Sequence, residues 1–517
     1  MLIDQRQRDE ILADNESIVV SASAGSGKTT IMVRKMAIEL EKITNHQTIA
    51  AITFTVKATE EIKRKVSNKI AKPFVTMTND AFIENEIIRP FIKDAYGVDY
   101  GKDYIVNYER QYKFEDFSTG LEQLKIENIL GSFEDNTQNF NFRLAFNILE
   151  RSTAAQEYIK FKFTMIFIDE YQDSDGDMHR FFMKLKNDLN IKLFIVGDSK
   201  QAIYIWRGAM RNIFELLENE NFNFYELVTN FRCHKEIENY ANVFHNQHYV
   251  TVPNEDVQNV FFKDYYSPYD SSELKEFVGF LENFNNLVED QIIDINNEIT
   301  IIANFNKDAM KITDILNQHG YNFVFIPKTP IDEGIPNGHL LKALAFYTKN
   351  STFSIYDFIE NVHINERNQT RVDINNIIGI LKNREDLNQQ IIEDVITQLA
   401  NYLELSISEE EINKFYDSVC NSQYNAAFQL IEEKHKVMTV YASKGLEFSQ
   451  VISFSRYYKI YDDENIQNHY VCITRAKDKF VMFIDNQDYY SHVLETANEN
   501  GITDINKLVK MERAMYS

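Results

Sequence analysis

The sequence predicts an α/β protein of two parallel-sheet lobes, each interrupted by a mainly helical stretch. Three observations lead there. Short apolar, β-branched runs recur near the N-terminus, each followed by a helix-compatible segment. The same strand–loop–helix pattern returns late in the chain. Between them lie stretches that are aromatic, charged and mostly helix-compatible.

Each element has a reason. SIVVSA (17–22), TIAAITF (48–54), KFTMIFID (162–169) and KLFIVGD (192–198) are continuous apolar runs that stop at polar or glycine-rich residues. That is the pattern of strands buried on both faces. EITIIAN (298–304), KVMTVYA (436–442), QVISFS (450–455) and KFVMFI (479–484) repeat it. Within 331–430, DLNQQIIEDVITQLANYLEL spaces its apolar residues for one face of a helix.

The chain has 517 residues, 44% of them hydrophobic, enough for several buried cores. Its N-terminus lacks an apolar signal core, and no run of apolar residues is long enough to span a membrane. Cys233, Cys420 and Cys472 are scattered, matching neither a zinc pattern nor a disulfide framework, so a cytoplasmic location is expected. A net charge of −24 runs against the basic footprint of a nucleic-acid binder. Either the surface is acidic for solubility, or basic and aromatic groups are confined to a narrow internal path.

The richest local signal joins the first strand to the first helix: Ser21, Ala22, Ser23, Ala24, Gly25, Ser26, Gly27, Lys28, Thr29 and Thr30. Gly25 and Gly27 let the backbone curl so that successive N–H groups face phosphate oxygens. Lys28 supplies charge to the β/γ-phosphates, and the Thr29 hydroxyl can ligate Mg²⁺. Ala22 stands where the strict Walker A form has glycine. Asp169 and Glu170 end an apolar strand, as a Walker B pair does. Asp169 is then expected to hold Mg²⁺, and Glu170 to orient and deprotonate the attacking water.

With these in place, DEYQDS (169–174), VGDSKQAIYIWRGA (196–209), TNFRC (229–233), TVYASKGLEF (439–448) and YVCITRAKDK (470–479) follow in order. IDQRQRDEI (3–11) and ITFTVKATEEI (52–62) precede or interleave them. Together they resemble the motifs of the UvrD/Rep branch of superfamily 1 helicases. The resemblance implies two RecA-like P-loop NTPase lobes with a small insertion 1B and a reduced insertion 2B. Lobe 1A then takes 1–85 and 156–235 around insertion 1B at 86–155. Lobe 2A takes 236–330 and 431–517 around insertion 2B at 331–430.

The resemblance also implies roles. Gln7 reads the adenine edge and Phe231 stacks on the base. Gln201 senses the γ-phosphate, Arg232 and Arg475 contact it, and Glu447 meets the ribose. The nucleotide-binding set thus spans Gln7, residues 22–30, Phe231, Arg232, Glu447 and Arg475, with ATP and Mg²⁺ as cofactors. Thr53, Phe54, Tyr204, Trp206, Arg207 and Tyr441 are the implied DNA contacts, since stacking on aromatic rings tolerates any base sequence.

Departures from the family pattern are Thr30 in place of an arginine, Tyr441 in place of a histidine, and Ile466 and Gln467 in place of paired arginines. They bear on nucleotide specificity and coupling. The short interval between Arg232 and Thr439 is expected to leave room only for a reduced 2B, and the tail after YVCITRAKDK (470–479) none for a nuclease. In size and motif set the chain resembles the helicase-like subunit of the Gabija antiphage system. That implies an OLD-family ATPase/TOPRIM nuclease as partner and single-stranded DNA or DNA ends as ligand. Three functions remain open: a 3′→5′ translocase in that complex, a stand-alone repair helicase, and a DNA-activated (d)NTP hydrolase with little unwinding. A non-motor scaffold has no need of the full hydrolytic set.

Overall fold

The structure is a computed structural model. It describes residues 3–511 except 109, 246, 266–275, 328, 333–334, 336, 363–367, 383, 385, 404, 406, 429–433 and 461–462. The chain forms two compact units: Met1–Thr229 with Gln389–Lys414, and Asn230–Asn388 with Phe415–Ser517.

The first unit holds a six-stranded sheet of β1 (Ile18–Ala22), β2 (Thr48–Thr53), β3 (Val75–Thr78), β4 (Phe163–Ile168), β5 (Lys192–Gly197) and β6 (Asn223–Leu227). Their order is β6-β1-β5-β4-β2-β3, and every pairing is parallel. Because side chains alternate along a strand, each strand feeds two cores. Ile18, Val20, Met165, Phe167, Phe194 and Val196 pack with Ile31, Met32 and Met36 of helix Lys28–Lys42 on one face. Val19, Ile166, Ile168, Leu193 and Ile195 face the other way. There they share one core with Phe114, Phe133, Phe140, Phe142 and Ile148 of the insertion.

The insertion is therefore welded to the sheet through its aromatic residues. Its helices are Arg89–Tyr96, Phe117–Glu127, Phe140–Arg151 and Thr153–Lys162. It also carries two short parallel ladders, Ile105–Val106 with Ile129–Leu130 and Lys113–Phe114 with Ser132–Phe133. Two-residue strands are too short to leave a periodic trace in sequence.

The second unit holds β7 (Val260–Asp264), β8 (Ile299–Ala303), β9 (Phe323–Ile326), β10 (His435–Thr439), β11 (Phe448–Phe454), β12 (Ala476–Ile484) and β13 (Lys510–Met511). The order is β9-β10-β8-β11-β12-β7-β13, again all parallel. The α/β class with two parallel-sheet lobes is thus the observed one. The regular elements described within 331–430 are helical, and helix Gln389–Tyr402, which groups with the first unit, buries Ile392, Val395, Ile396, Leu399 and Ala400. That spacing is the apolar stripe read from the sequence. No described helix is long and apolar enough to cross a membrane.

Candidate functional site

All six strands of the first sheet run the same way, so their carboxyl ends share one edge, where parallel sheets gather ligands. The loop after β1 curls through Gly25 (φ 71°) and Gly27 (φ 83°), a left-handed backbone that side chains with a Cβ rarely adopt. The Ser23 N–H donates to Leu227 O at 3.0 Å and the Ser26 N–H to Ser23 O at 3.1 Å. Helix Lys28–Lys42 then begins with no side-chain cap on its first N–H groups. Ala22, Ala24 and Ser26 are buried, and Thr29 is half-buried. Thr30 is exposed, so its short side chain lies on the surface of the helix start.

At the end of β4, Asp169 is buried, and its Oδ1 accepts from the Glu170 N–H at 2.9 Å. Glu170 adopts φ 53°, a strained value for a non-glycine residue. The Lys28 ammonium lies 3.8 Å from Glu170 Oε2, which also accepts from Gln172 Nε2. Burial and the neighbouring Glu170 charge push the Asp169 carboxyl up to about 7, against the pull of Lys28. Two carboxylates and one ammonium leave local negative charge that a divalent cation would offset. The Thr29 hydroxyl and a buried carboxylate are hard oxygen donors, so the residues present fit Mg²⁺.

At the end of β5, Gln201 Nε2 donates to Asp198 Oδ2 at 2.7 Å, and the Asp198 N–H donates to Gln172 Oε1 at 3.0 Å. Lys200 Nζ reaches Ser23 Oγ at 3.1 Å and Asp198 Oδ1 at 3.2 Å. Burial works to raise the Asp198 carboxyl. The Lys200 and Lys28 charges and the Gln201 hydrogen bond overcome it and hold the group below its ordinary range. Asp198, Gln172 and Lys200 lie inside the same motifs, but their residue types alone carry no mark of these bonds.

Helix Gln5–Ala13 brings Gln7 to the same unit's edge strand, where Gln7 Oε1 accepts the Glu226 N–H at 2.5 Å. One turn away, Asp4 and Arg8 pair twice at 2.9 Å. Arg8 Nη2 also donates to Ser26 O in the phosphate loop at 2.8 Å. Asp4 accepts from Val228 N, Thr229 N and Thr229 Oγ1. These two residues were missed; an i,i+4 acid–base pair is too common on helix surfaces to stand out.

Of the residues assigned to DNA, Thr53 is 1% exposed, donating to Thr55 O at 2.8 Å and sharing a hydroxyl contact with Thr59 at 2.7 Å. Phe54 is half-buried against the insertion-side core. Tyr204 and Arg207 flank a 3₁₀ turn, with the guanidinium 5.5 Å from the Tyr204 ring centre, and Arg207 is exposed. The Trp206 side chain lies outside the described part of the structure.

In the second unit, Asn230 Oδ1 accepts the N–H groups of Arg232 and Cys233, folding a tight turn that leaves Phe231 59% exposed. Arg232 Nε pairs with Glu447 Oε2 at 2.8 Å, joining TNFRC (229–233) to TVYASKGLEF (439–448). Arg475 is 1% exposed and bonds Val471 O and Leu446 O at 2.9 Å and Thr474 Oγ1 at 3.1 Å. Its guanidinium is thus tied into its own unit. Tyr441 sits half-buried in the short helix Val440–Ser443.

Known proteins resemble this chain in sequence. An AAA domain profile matches residues 5–207. A Gabija protein GajB of Bacillus cereus is 41% identical over 505 residues, covering 97% of this chain and 100% of the relative. A probable DNA helicase of Mycoplasma pneumoniae is 28% identical over 268 residues, 42% of this chain and 50% of that protein. The ATP-dependent DNA helicase PcrA of Staphylococcus epidermidis is 26% identical over 292 residues, 46% of this chain and 39% of that protein. The match to these two helicases spans half their length or less, whereas the match to GajB is end to end. With the phosphate loop, the acidic pair and the two parallel-sheet units in hand, the chain belongs to the Gabija GajB family of UvrD-like, ATP-hydrolysing helicases.

Proposed function

We propose that the chain is a DNA-activated ATPase that couples hydrolysis to single-stranded DNA binding and 3′→5′ translocation, as the motor of a cytoplasmic antiphage complex with an OLD-family nuclease. The observation that carries the catalytic part is the Lys28 ammonium 3.8 Å from the Glu170 carboxylate, with buried Asp169 alongside. On this reading residues 22–30 cradle the phosphates, and Thr29 and Asp169 hold Mg²⁺. The cation supplies charge neutralisation at the β- and γ-oxygens. Glu170 takes the proton of the attacking water, with the Lys28 ammonium beside it at 3.8 Å. Gln201 reports γ-phosphate through Asp198.

Arg232, Arg475, Phe231 and Glu447 of the second unit are the proposed γ-phosphate, base and ribose contacts. A phosphate group competes with Glu447 for Arg232, and Arg475 serves only after exchanging its carbonyl bonds. Thr53, Phe54, Tyr204, Trp206, Arg207 and Tyr441 remain the proposed DNA contacts. The buried, internally bonded Thr53 offers its backbone more readily than its hydroxyl.

One observation favours the second reading, a base-tolerant (d)NTP hydrolase with little unwinding. The Gln7 carboxamide oxygen is occupied by the Glu226 N–H, leaving the amide to donate. A donor reads N7, which adenine and guanine share, and the oxygen has only its second lone pair left for the adenine amino group. The test is phosphate release from ATP, dATP, GTP and dGTP with and without short DNA, beside strand separation on a 3′-tailed duplex. Fast unwinding coupled to ATP alone supports the translocase. Hydrolysis of all four with little separation supports the hydrolase. DNA-stimulated turnover retained by Lys28→Ala or by Glu170→Gln would overturn the site assignment.

A further inference from the structure

Asp4 and Arg8 take no part in the steps above, yet both are largely buried beside the phosphate loop. The Asp4 side chain is 1% exposed and that of Arg8 12%. We propose that they are a positioning pair that sets the orientation of the Ser26–Gly27 peptide and thereby the nucleotide affinity of the loop. The inference rests on the reading that the phosphates lie in that loop.

The geometry supplies the reason. In a trans peptide the C=O and N–H point in opposite directions. Arg8 Nη2 holds the Ser26 carbonyl at 2.8 Å, so the Gly27 N–H is turned to the opposite side, into the curl of the loop. Without an anchor this peptide has little reason to stay put. Glycine populates positive and negative φ about equally, and Gly27 at φ 83° is one peptide rotation from the alternative. The flipped peptide would present a carbonyl oxygen where a phosphate oxygen must sit.

Arg8 is itself fixed. Asp4 takes its Nε and Nη2 in a fork at 2.9 Å each. The remaining capacity of Asp4 is filled by the Val228 N–H at 2.9 Å, the Thr229 N–H at 3.0 Å and the Thr229 hydroxyl at 2.7 Å. The mount therefore stands on the backbone that follows β6, next to the strand that feeds the loop. A lysine at position 8 keeps the charge but has no planar fork, so it cannot bridge Asp4 and the Ser26 carbonyl in the same way.

A cradle oriented in advance binds ground state and transition state alike, so its loss raises KM and spares kcat. Arg8→Gln and Asp4→Asn are expected to raise KM for ATP, and Kd for a fluorescent ATP analogue, by about tenfold, with kcat within about twofold. Thr229→Val removes one hydroxyl from the mount and leaves the Arg8–Ser26 bond. It is expected to move KM in the same direction but by less, since both Asp4–Arg8 bonds remain. If Arg8→Gln fails to fold, Arg8→Lys takes its place with the same expected direction. KM unchanged in the Arg8 and Asp4 variants, or kcat lost with KM intact, overturns the proposal. Lys28→Ala separates the two levels of the argument. Nucleotide binding that survives Lys28→Ala refutes the loop as the phosphate site. Binding lost in Lys28→Ala but intact in the Arg8 and Asp4 variants refutes the positioning pair alone.

Discussion

Gly208 closes the turn that carries Tyr204 and Arg207, and replacing it with alanine tests how tightly the insertion is fitted to that turn. Its φ is +96°, a region that costs a Cβ-bearing residue roughly 1–2 kcal/mol. A Cβ there would also lie 2.8 Å from Asn136 O and 2.8 Å from Thr137 Cα. Both are backbone atoms, so no side-chain rotation relieves the overlap. Nor can the insertion retreat easily. Asp135 holds the Thr137 N–H, the Thr137 hydroxyl and the Gln138 amide, while Asn139 and Arg143 bond Asp175 and Asp177 just after the acidic pair. Overpacking of this kind typically costs about 1–3 kcal/mol. The two effects together predict a loss of about 2–5 kcal/mol.

Urea unfolding measures the loss directly, and single-strand DNA titration reports whether the Tyr204–Arg207 turn has shifted. Gly208→Asn separates the two causes. Asparagine tolerates positive φ, so it relieves the backbone cost and keeps the overlap. The structure therefore expects Asn to recover part of the backbone cost and keep the overlap cost of about 1–3 kcal/mol. An alanine variant within about 0.5 kcal/mol of the parent, the scatter of neutral surface changes, would refute the reasoning. So would an asparagine variant that behaves like the parent.

Two further outcomes follow from packing and charge. Phe140→Ala removes a ring that is 2% exposed and lies 4.6, 5.4 and 5.6 Å from the rings of Phe114, Phe117 and Phe133. A loss of about 3–5 kcal/mol is expected in denaturant unfolding, and less than about 1 kcal/mol would show that the aromatic core is not what joins insertion to sheet. For pH, Asp169 is pushed up to about 7 by burial and the Glu170 charge, and Asp175 to about 6 chiefly by burial. Between pH 4 and 7 these groups hold more protons folded than unfolded, so they make stability rise as pH falls. Burial tends to raise Asp4 too, but Arg8 and the Thr229 bonds bring it down to about 2. Its contribution is complete above the ordinary value of 3.8 and is lost as pH falls toward 2. Thermal unfolding without Mg²⁺ or nucleotide should thus peak on the acid side of neutrality. Asp169→Asn should flatten the neutral slope, and an unchanged slope would refute the Asp169 assignment.

The local chemistry was legible in the sequence. A loop that must curl around phosphate needs glycines, and Gly25 and Gly27 stand at positive φ as that requirement demands. Strands buried on both faces must be continuously apolar, so eight of the thirteen main-sheet strands were marked by composition alone. The stripe of helix Gln389–Tyr402 was visible for the same reason, since burial of one face leaves a period behind. The order of the motifs placed Lys28, the Asp169–Glu170 pair and Gln201 each in its own chain segment. It did not say how they would meet.

Tertiary structure decided the rest, wherever a bond joins residues far apart in the chain. Asp4 meets Thr229, and Arg8 meets Ser26, only because β6 lies beside β1 at the edge of the sheet. The short strands Val75–Thr78 and Asn223–Leu227 gain their form from a neighbour, not from their own pattern. Arg475 looks like an outward-reaching arginine in its motif, yet its guanidinium is bonded to Val471 O and Leu446 O inside its own unit. Sequence determines which chemical groups a segment carries and what local backbone it can adopt. Which donors are already spent, and on what, depends on where the other segments pack, because a hydrogen bond is decided by distance in space and not along the chain.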